Sequence, residues 1–486
     1  MNALTYKEAA HLLRRMGFSG PPEKIRTLAA MGREKAVDFL VDYEKISDRE
    51  LEERLSPAFE FLHATSPDDL SDRNFNATEL RSWWIGRMLY SSRPFEEKMT
   101  LFWHNFFATS LDKVPLVHMY NQNLDLRQFA LGRFDDLLLK ISQGAAILIW
   151  LDLVNSAKDS PNENFARELQ ELFTMGTNDV VTAQPNFTED DVKEISRAFT
   201  GWRFRQSPDN NSPFAHEWFL DENQADLGAK TIYGLTANFT GEDVITILAD
   251  RRATARYLVK RLFESFVYPL DSGSPEDRAT IEEFADIYFA NGHSIRELVR
   301  SIFKSDLFFN QRARFALVKN PVEFALGAMR ILEADYRFGT PDDRDTSIEE
   351  SLRVMGMDLF SPPDVFGWDL NLGFVTNNAM LERFNFADMV VFGNLVSSTS
   401  PGILPPHPFV FSDRVHPKAK KTAKNFLELL GPIDLDKSTI KKVTRFLQIN
   451  EAGLPIKWDI SDRSRVPFRV QSCVRLIMCL PEFQMN

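Results

Sequence analysis

The chain has 486 residues, 44% of them hydrophobic and 26% charged, and carries a net charge of −12. That length holds a large core in two or three lobes, the composition excludes extended disorder, and the acidity opposes binding to a phosphate backbone, so no nucleic-acid partner is expected. The 41 phenylalanines, with no long apolar span, point to thick helix-packing interfaces and to no transmembrane segment.

Four segments are expected: a helical headpiece over 1–65, a helical core over 66–205, an irregular excursion over 206–240 and a C-terminal helical lobe over 241–486. The N-terminus, Met1 to Glu8, lacks a basic region followed by an apolar run. A cytoplasmic location is therefore expected, with a trimmed signal or export alongside a partner left open. Residues 5–45 read as two or three short helices, with Ala9, Leu12, Leu13 and Met16 on one face and Arg14-Arg15 as solvated surface. Ser66-Pro67-Asp68-Asp69 reads as a linker.

From Phe95 to Phe107 apolar residues point in nearly every direction, which predicts a central, buried helix. His104 and Asn105 on it are then desolvated, and each needs a partner. His104 is the best-placed histidine for proton transfer, although a hydrogen-bonded structural role is the plainer reading. Phe134 to Trp150 reads as one long apolar helix. Asp152 and Asn155 follow it and are placed to reach the amino end or polar flank of the next helix, or merely to make a turn.

That next helix is the stretch Ser160 to Gly176. Ser160 is the expected cap, Pro161 the first helical residue, Glu163 the partner in a capping box and Gly176 the left-handed stop. Phe165, Leu169, Leu172 and Phe173 share the core face. Asn164, Glu168 and Glu171 flank it, and Glu163, Arg167 and Gln170 lie opposite. Two readings stay open: Glu168 and Glu171 bind a cation or a hydroxylated ligand, or Glu163–Arg167 and Arg167–Glu171 are ordinary surface ion pairs.

Thr188 starts a second acidic-capped helix, with Val192, Ile195, Phe199 and Trp202 as its apolar stripe and Gly201 as its end. Asp190, Glu194 and Arg197 form a polar stripe that faces either the first helix or water. Residues 203–240 are expected to be an irregular excursion with one short hairpin. Helices return at 241–250, 253–268, 275–290, 294–305 and 321–335. Gly339–Asp343 is a surface loop, Ser361–Asp369 is an aromatic, proline-rich loop, and Ser397–Pro417 is a loop or lid before the closing helices. Cys473 and Cys479, six residues apart on a helix, place their thiols about 120° and roughly 9 Å apart, too far for a bridge.

No nucleophile elbow, phosphate loop, zincin motif or Cys-x-x-Cys pair occurs, so a histidine- or cysteine-rich metal site is poorly supported. What remains is an oxygen-rich set, Asp152, Glu163, Glu168, Glu171, Asp190 and Glu194, which suits a hard divalent cation if any.

The Trp103-His104-Asn105 stretch, the run Asn162 to Gly176, Ala198-Phe199-Thr200-Gly201-Trp202 and the loop Pro362-Pro363-Asp364-Val365-Phe366-Gly367-Trp368 together resemble the bacterial family catalogued as domain of unknown function 1800. The resemblance runs from Ala10 to Phe483. It implies a partner in a second family of unknown function, numbered 1501, that looks like exported sulfatase- or phosphatase-type proteins, and hence a cell-envelope setting. Many relatives carry histidine where this chain has Phe106, Phe173, Ala225 and Arg251. If those histidines bind metal in relatives, this chain has lost much of the set.

Two functions follow. The first is an enzyme or former enzyme with His104 as proton carrier, Glu168 and Glu171 as base or cation ligands, and Arg167 beside them. Its pocket is lined by Asn105, Asp152, Asn162, Glu163, Asn164 and Arg197, and its substrate is polyhydroxylated or envelope-derived. The second, favoured, is a helical binding or assembly factor that holds a partner protein in an aromatic groove around Trp202, Trp368 and the 397–417 loop.

Overall fold

The computed structural model describes residues 3–486 apart from 209, 434 and 451. Helices make up 56% of it, and three two-stranded antiparallel sheets are its only strand pairs among the described residues. The all-helical expectation therefore holds.

The headpiece forms as its pattern requires. Thr5 and Glu8 close a reciprocal capping box on the Tyr6–Met16 helix, whose Ala9, Leu12, Leu13 and Met16 are all buried. Helices Pro22–Met31 and Arg33–Val41 complete it. Arg14 and Arg15 are not solvated surface: they are 5% and 1% exposed. Arg15 donates to the carbonyls of Ala313 (2.7 Å) and Asn486 (3.1 Å), and the Arg14 guanidinium lies over the Phe315 ring at 4.7 Å. Carbonyl oxygens and an aromatic face replace water for these two cations.

Two other local expectations change. Ser66 caps a short helix, Pro67–Asp72, so the expected linker is ordered. The 134–150 run is two helices, Phe134–Ser142 and Ala145–Trp150, because Gly144 leaves the helical conformation and caps the second.

The Pro94–Phe106 helix is central. Its Phe95, Met99, Trp103 and Phe106 belong to a core cluster shared with the headpiece and the Arg252–Phe266 helix. Its Leu101 belongs to a second cluster built on Trp83, Trp84, the Pro321–Leu332 helix and the Asn377–Phe392 helix. Neither cluster follows a single sequence segment. The phenylalanines supply the interlocking: Phe102, Phe266, Phe303 and Phe308 form a chain of ring contacts at 5.0–5.8 Å.

The second acidic-capped helix runs Glu189–Ala198, with Thr188 and Asp191 as its capping box. It ends four residues before Trp202. Gly201, at φ +79°, turns the chain where a Cβ would meet the Asp221 carbonyl oxygen at 2.6 Å, so Trp202 opens a strand instead of closing the helix. Trp202–Gln206 pairs with His216–Leu220, and Lys230–Ile232 with Leu235–Ala237, giving two hairpins in the irregular region. Gly402–Ile403, inside the proline-rich run, pairs with Tyr336–Arg337, and Pro408–Ser412 is helical. Both cysteines are free. No helix among the described residues is long and apolar enough to cross a membrane.

Candidate functional site

The acidic helix spans Glu163–Glu171, and its cap is Asn162, not Ser160. Ser160 pairs backbone-to-backbone with Ala157, while Ser156 Oγ accepts the Asn162 N–H at 3.0 Å and holds Asn162 at the helix start. Asn162 Oδ1 accepts the N–H groups of Asn164 (2.8 Å) and Phe165 (3.4 Å), and its Nδ2 donates to the Leu151 carbonyl (2.9 Å). Glu163 is thus the first helical residue and closes no capping box. After Glu171 the chain makes an irregular turn to Gly176, whose N–H returns to the Gln170 carbonyl at 3.1 Å.

Phe165, Leu169 and Phe173 are buried as expected. The polar face is assigned differently from the helical-wheel reading. Glu163 and Asn164 are exposed, and Glu168 and Glu171 are half-buried. Partial burial and the neighbouring Glu171 raise the Glu168 pKa. Gln170 is fully buried, accepting the Tyr233 hydroxyl at 2.6 Å, so it does not lie opposite the core. Arg167 pairs with neither Glu163 nor Glu171: it forks onto Glu189 of the second helix at 2.7 and 2.9 Å. A cross-helix carboxylate offers both oxygens to the planar guanidinium, which same-helix partners did not.

The polar stripe of the Glu189–Ala198 helix turns to the second hairpin. Arg197 binds Asp226 at 2.7 Å and Glu194 at 2.9 Å, and Glu194 also accepts the Thr231 N–H at 2.9 Å. Asp190 points into solvent with its side chain 91% exposed. Asp152, in a left-handed turn at φ +58°, pairs with Lys113 at 2.8 Å.

His104 lies elsewhere. It is fully buried in a box of rings, with centroids 5.2 Å from Trp84, 5.3 Å from Phe360 and 5.4 Å from Trp368. Neither ring nitrogen has a hydrogen-bond partner. Burial alone pushes its pKa to about 3, with no carboxylate near enough to oppose the shift. The structure therefore does not bring His104 together with Glu168 and Glu171.

The expected aromatic groove does not form either. Trp202 is 1% exposed, wedged against Phe199 (4.8 Å) and Trp218 (5.2 Å), and belongs to the first core cluster. Trp368 is 4% exposed and belongs to the second. Each ring reaches lower free energy by burying its faces in its own core than by sharing a surface.

What the 361–369 loop does present is Phe366. Asn105 Oδ1 accepts the Trp368 N–H at 2.6 Å, which draws Trp368 inward onto His104. Gly367, at φ +86°, reverses the chain just before it, and Phe366 stands 66% exposed. Leu372, Val375 and Leu381 follow at 76%, 46% and 61% exposure. Four large apolar side chains in sixteen residues thus face solvent, all from the loop and the start of the helix that follows it. They are not legible in the sequence, because aromatic residues two apart in an irregular loop give no periodicity to say which turns out. The left-handed Gly367 between them was the available signal.

The model of the family described as protein of unknown function DUF1800 matches residues 11–485. The chain belongs to that family. No curated protein and no solved structure is matched. In this DUF1800 chain Phe106, Phe173, Ala225 and Arg251 do not line one polar site. Phe106 and Phe173 are buried on either side of Phe107, with centroids 5.0 and 5.2 Å from it. Ala225 packs under Gly201, and the Arg251 guanidinium lies over the Tyr233 ring at 3.9 Å. Among the described residues no three His, Cys, Asp or Glu side chains converge closely enough to hold a metal ion.

Proposed function

We propose that this DUF1800 protein is a binding or assembly factor that holds a partner protein on the 366–381 surface. The partner is of the exported sulfatase- or phosphatase-type family numbered 1501, and the setting is bacterial envelope or exported material. The observation that carries the reading is the exposure of Phe366, Leu372, Val375 and Leu381 on one short stretch. Large exposed apolar groups gathered in one place mark contact surfaces, whereas singly scattered ones do not. Phenylalanine and leucine buried there on docking contribute about 1.5–3 kcal/mol each, enough for a specific complex with few polar contacts.

Less supports the alternative, an enzyme with a carboxylate-rich, cation-dependent site. His104 is walled in by rings, Arg167 is paired with Glu189, and Glu163 and Asn164 are wet. The test is capture of a family-1501 protein encoded beside this one. Wild type is expected to retain it on a column, and Phe366→Ser with Leu372→Glu is expected to lose it while the circular dichroism stays unchanged. Equal capture by the double variant removes this surface from the reading, and no capture by wild type removes the reading itself.

A further inference from the structure

A second feature shares no lining residue with that surface. The helix Leu116–Gln128 carries His118, Asn121, Gln122 and Asp125 at i, i+3, i+4 and i+7, one polar face in an otherwise packed region. The first hairpin faces it. His216 and Trp218 share a face of their strand, and Phe204 is the cross-strand partner of Trp218, so these three rings line one side. The turn between the Phe134–Ser142 and Ala145–Trp150 helices, with Lys140, closes the third side. Together they enclose a cavity of about 310 Å³, the size of a small-molecule site.

Three residues that line it, His118, His216 and Trp218, each also carry a ring nitrogen (Nδ1, Nδ1 and Nε1) that is sealed from solvent and makes no hydrogen bond. Buried polar atoms are almost always paired, so three unpaired ring nitrogens beside one cavity mark this wall as polar beyond what the fold itself uses. Asn121 and Gln122 are already committed, Asn121 to the Phe214 carbonyl (2.8 Å) and Gln122 to Thr109 Oγ1 (2.5 Å), and so hold the wall rigid.

The charge balance selects the ligand. Burial and the facing His216 push the His118 pKa down to about 4, and burial lowers that of His216, so both imidazoles are neutral at physiological pH. Burial raises Asp125 to about 6 against the opposing pull of Lys140, 3.5 Å away. Glu217 on the rim is paired with Arg205 at 2.7 Å. No uncompensated cation remains for a phosphate and no uncompensated anion for an amine. The two imidazoles stand at 79° with centroids 4.6 Å apart. Their donors and acceptors therefore lie in different planes, which suits hydroxyls on a puckered ring and not the coplanar edge of a nucleobase. The faces of Phe204 and Trp218 supply an apolar wall for such a ring's C–H groups.

We propose that this cavity binds a small, uncharged, polyhydroxylated molecule of one sugar ring, held by hydrogen bonds from His118, His216 and Asp125 against Phe204 and Trp218.

The test is calorimetric titration of the full chain with glucose, N-acetylglucosamine and myo-inositol, with glucose 6-phosphate as the anionic control and adenine as the planar one. At least one neutral polyol is expected to bind with a Kd of about 1 mM or below. His216→Phe and Asp125→Asn are each expected to weaken that binding about tenfold or more, with the melting temperature held. Asp125 lies at the cavity edge with 21% of its side chain exposed, so its variant keeps the test intact if the histidine variants misfold. Failure of all three polyols to bind, preference for glucose 6-phosphate or adenine, or unchanged affinity in Asp125→Asn overturns the proposal. Capture of the partner through residues 366–381 is read independently of every one of these outcomes.

Discussion

Asn105 pairs with both backbone polar groups of Trp368: Oδ1 accepts its N–H at 2.6 Å and Nδ2 donates toward its carbonyl at 3.4 Å. A carboxamide here does the work of a neighbouring strand, satisfying a loop that has no ladder of its own. One wall of the His104 box, Trp368, is held in place by this pair, and the outward position of Phe366 follows from the reversal at Gly367 beside it.

Asn105→Ala is therefore expected to cost about 1–3 kcal/mol in urea unfolding, because both Trp368 groups lose their partner. Gly367→Ala is expected to cost at least as much: its Cβ would stand 2.2 Å from Asn105 Oδ1, and its φ of +86° is strained for any side chain. Wild-type stability in either variant contradicts the clamp.

The His104 box sets an acid dependence. The imidazole titrates near its ordinary 6.5 in the unfolded chain and near 3 in the fold. Between those values the unfolded state binds more protons, so stability is retained above the upper value and falls as pH falls through the window. His104→Phe removes this dependence. Relative to wild type it is expected to gain about 2 kcal/mol on going from about pH 7 to about pH 5. Parallel pH profiles for the two proteins count against a neutral, unpartnered His104.

Glu96 has the opposite sign. Burial and the adjacent Glu97 raise it to about 7, while Glu97, despite complete burial, is held near 2 by Arg127 and Arg87. The folded state holds the Glu96 proton more tightly than the unfolded one, so stability is lost as pH rises from the ordinary carboxylate value through about 7. Glu96→Gln is expected to be more stable than wild type by on the order of 1–2 kcal/mol at about pH 8, and to match it in mild acid. Denaturation curves at the two pH values decide this.

Glu168→Gln, Glu171→Gln and Arg167→Ala are expected to change stability by no more than about 1 kcal/mol, since their contacts are partly wet, and to leave partner capture intact. Loss of capture or of a cellular phenotype in Glu168→Gln alone would return the acidic helix to the centre of the function.

Much of the helical plan was legible locally. Periodic apolar residues with strong caps, as at Thr5, Thr188 and Ser274, mark their own helices, and the 275–290 helix lies where its pattern puts it. The burial of the Pro94–Phe106 helix was legible too, since a helix apolar on all sides has no face for water. Which polar side chains meet was not. Arg167 finds Glu189, Arg197 finds Asp226 and Tyr233 finds Gln170, all pairings between elements far apart in sequence. The His118–Asp125 stripe has no partner within its own stretch of chain, because the hairpin that completes its cavity lies about ninety residues later.

By itself the sequence determined that this is a helical protein of the DUF1800 family with a central aromatic helix, because caps and apolar periodicity act within a few turns of chain. Only the tertiary structure decided that His104 is sealed among rings, that Trp368 turns in while Phe366 turns out, and that His118 and His216 face one another. Those outcomes depend on packing between distant segments, where the burial of a ring or the pairing of a charge is settled by whichever partner leaves the fewest groups unsatisfied.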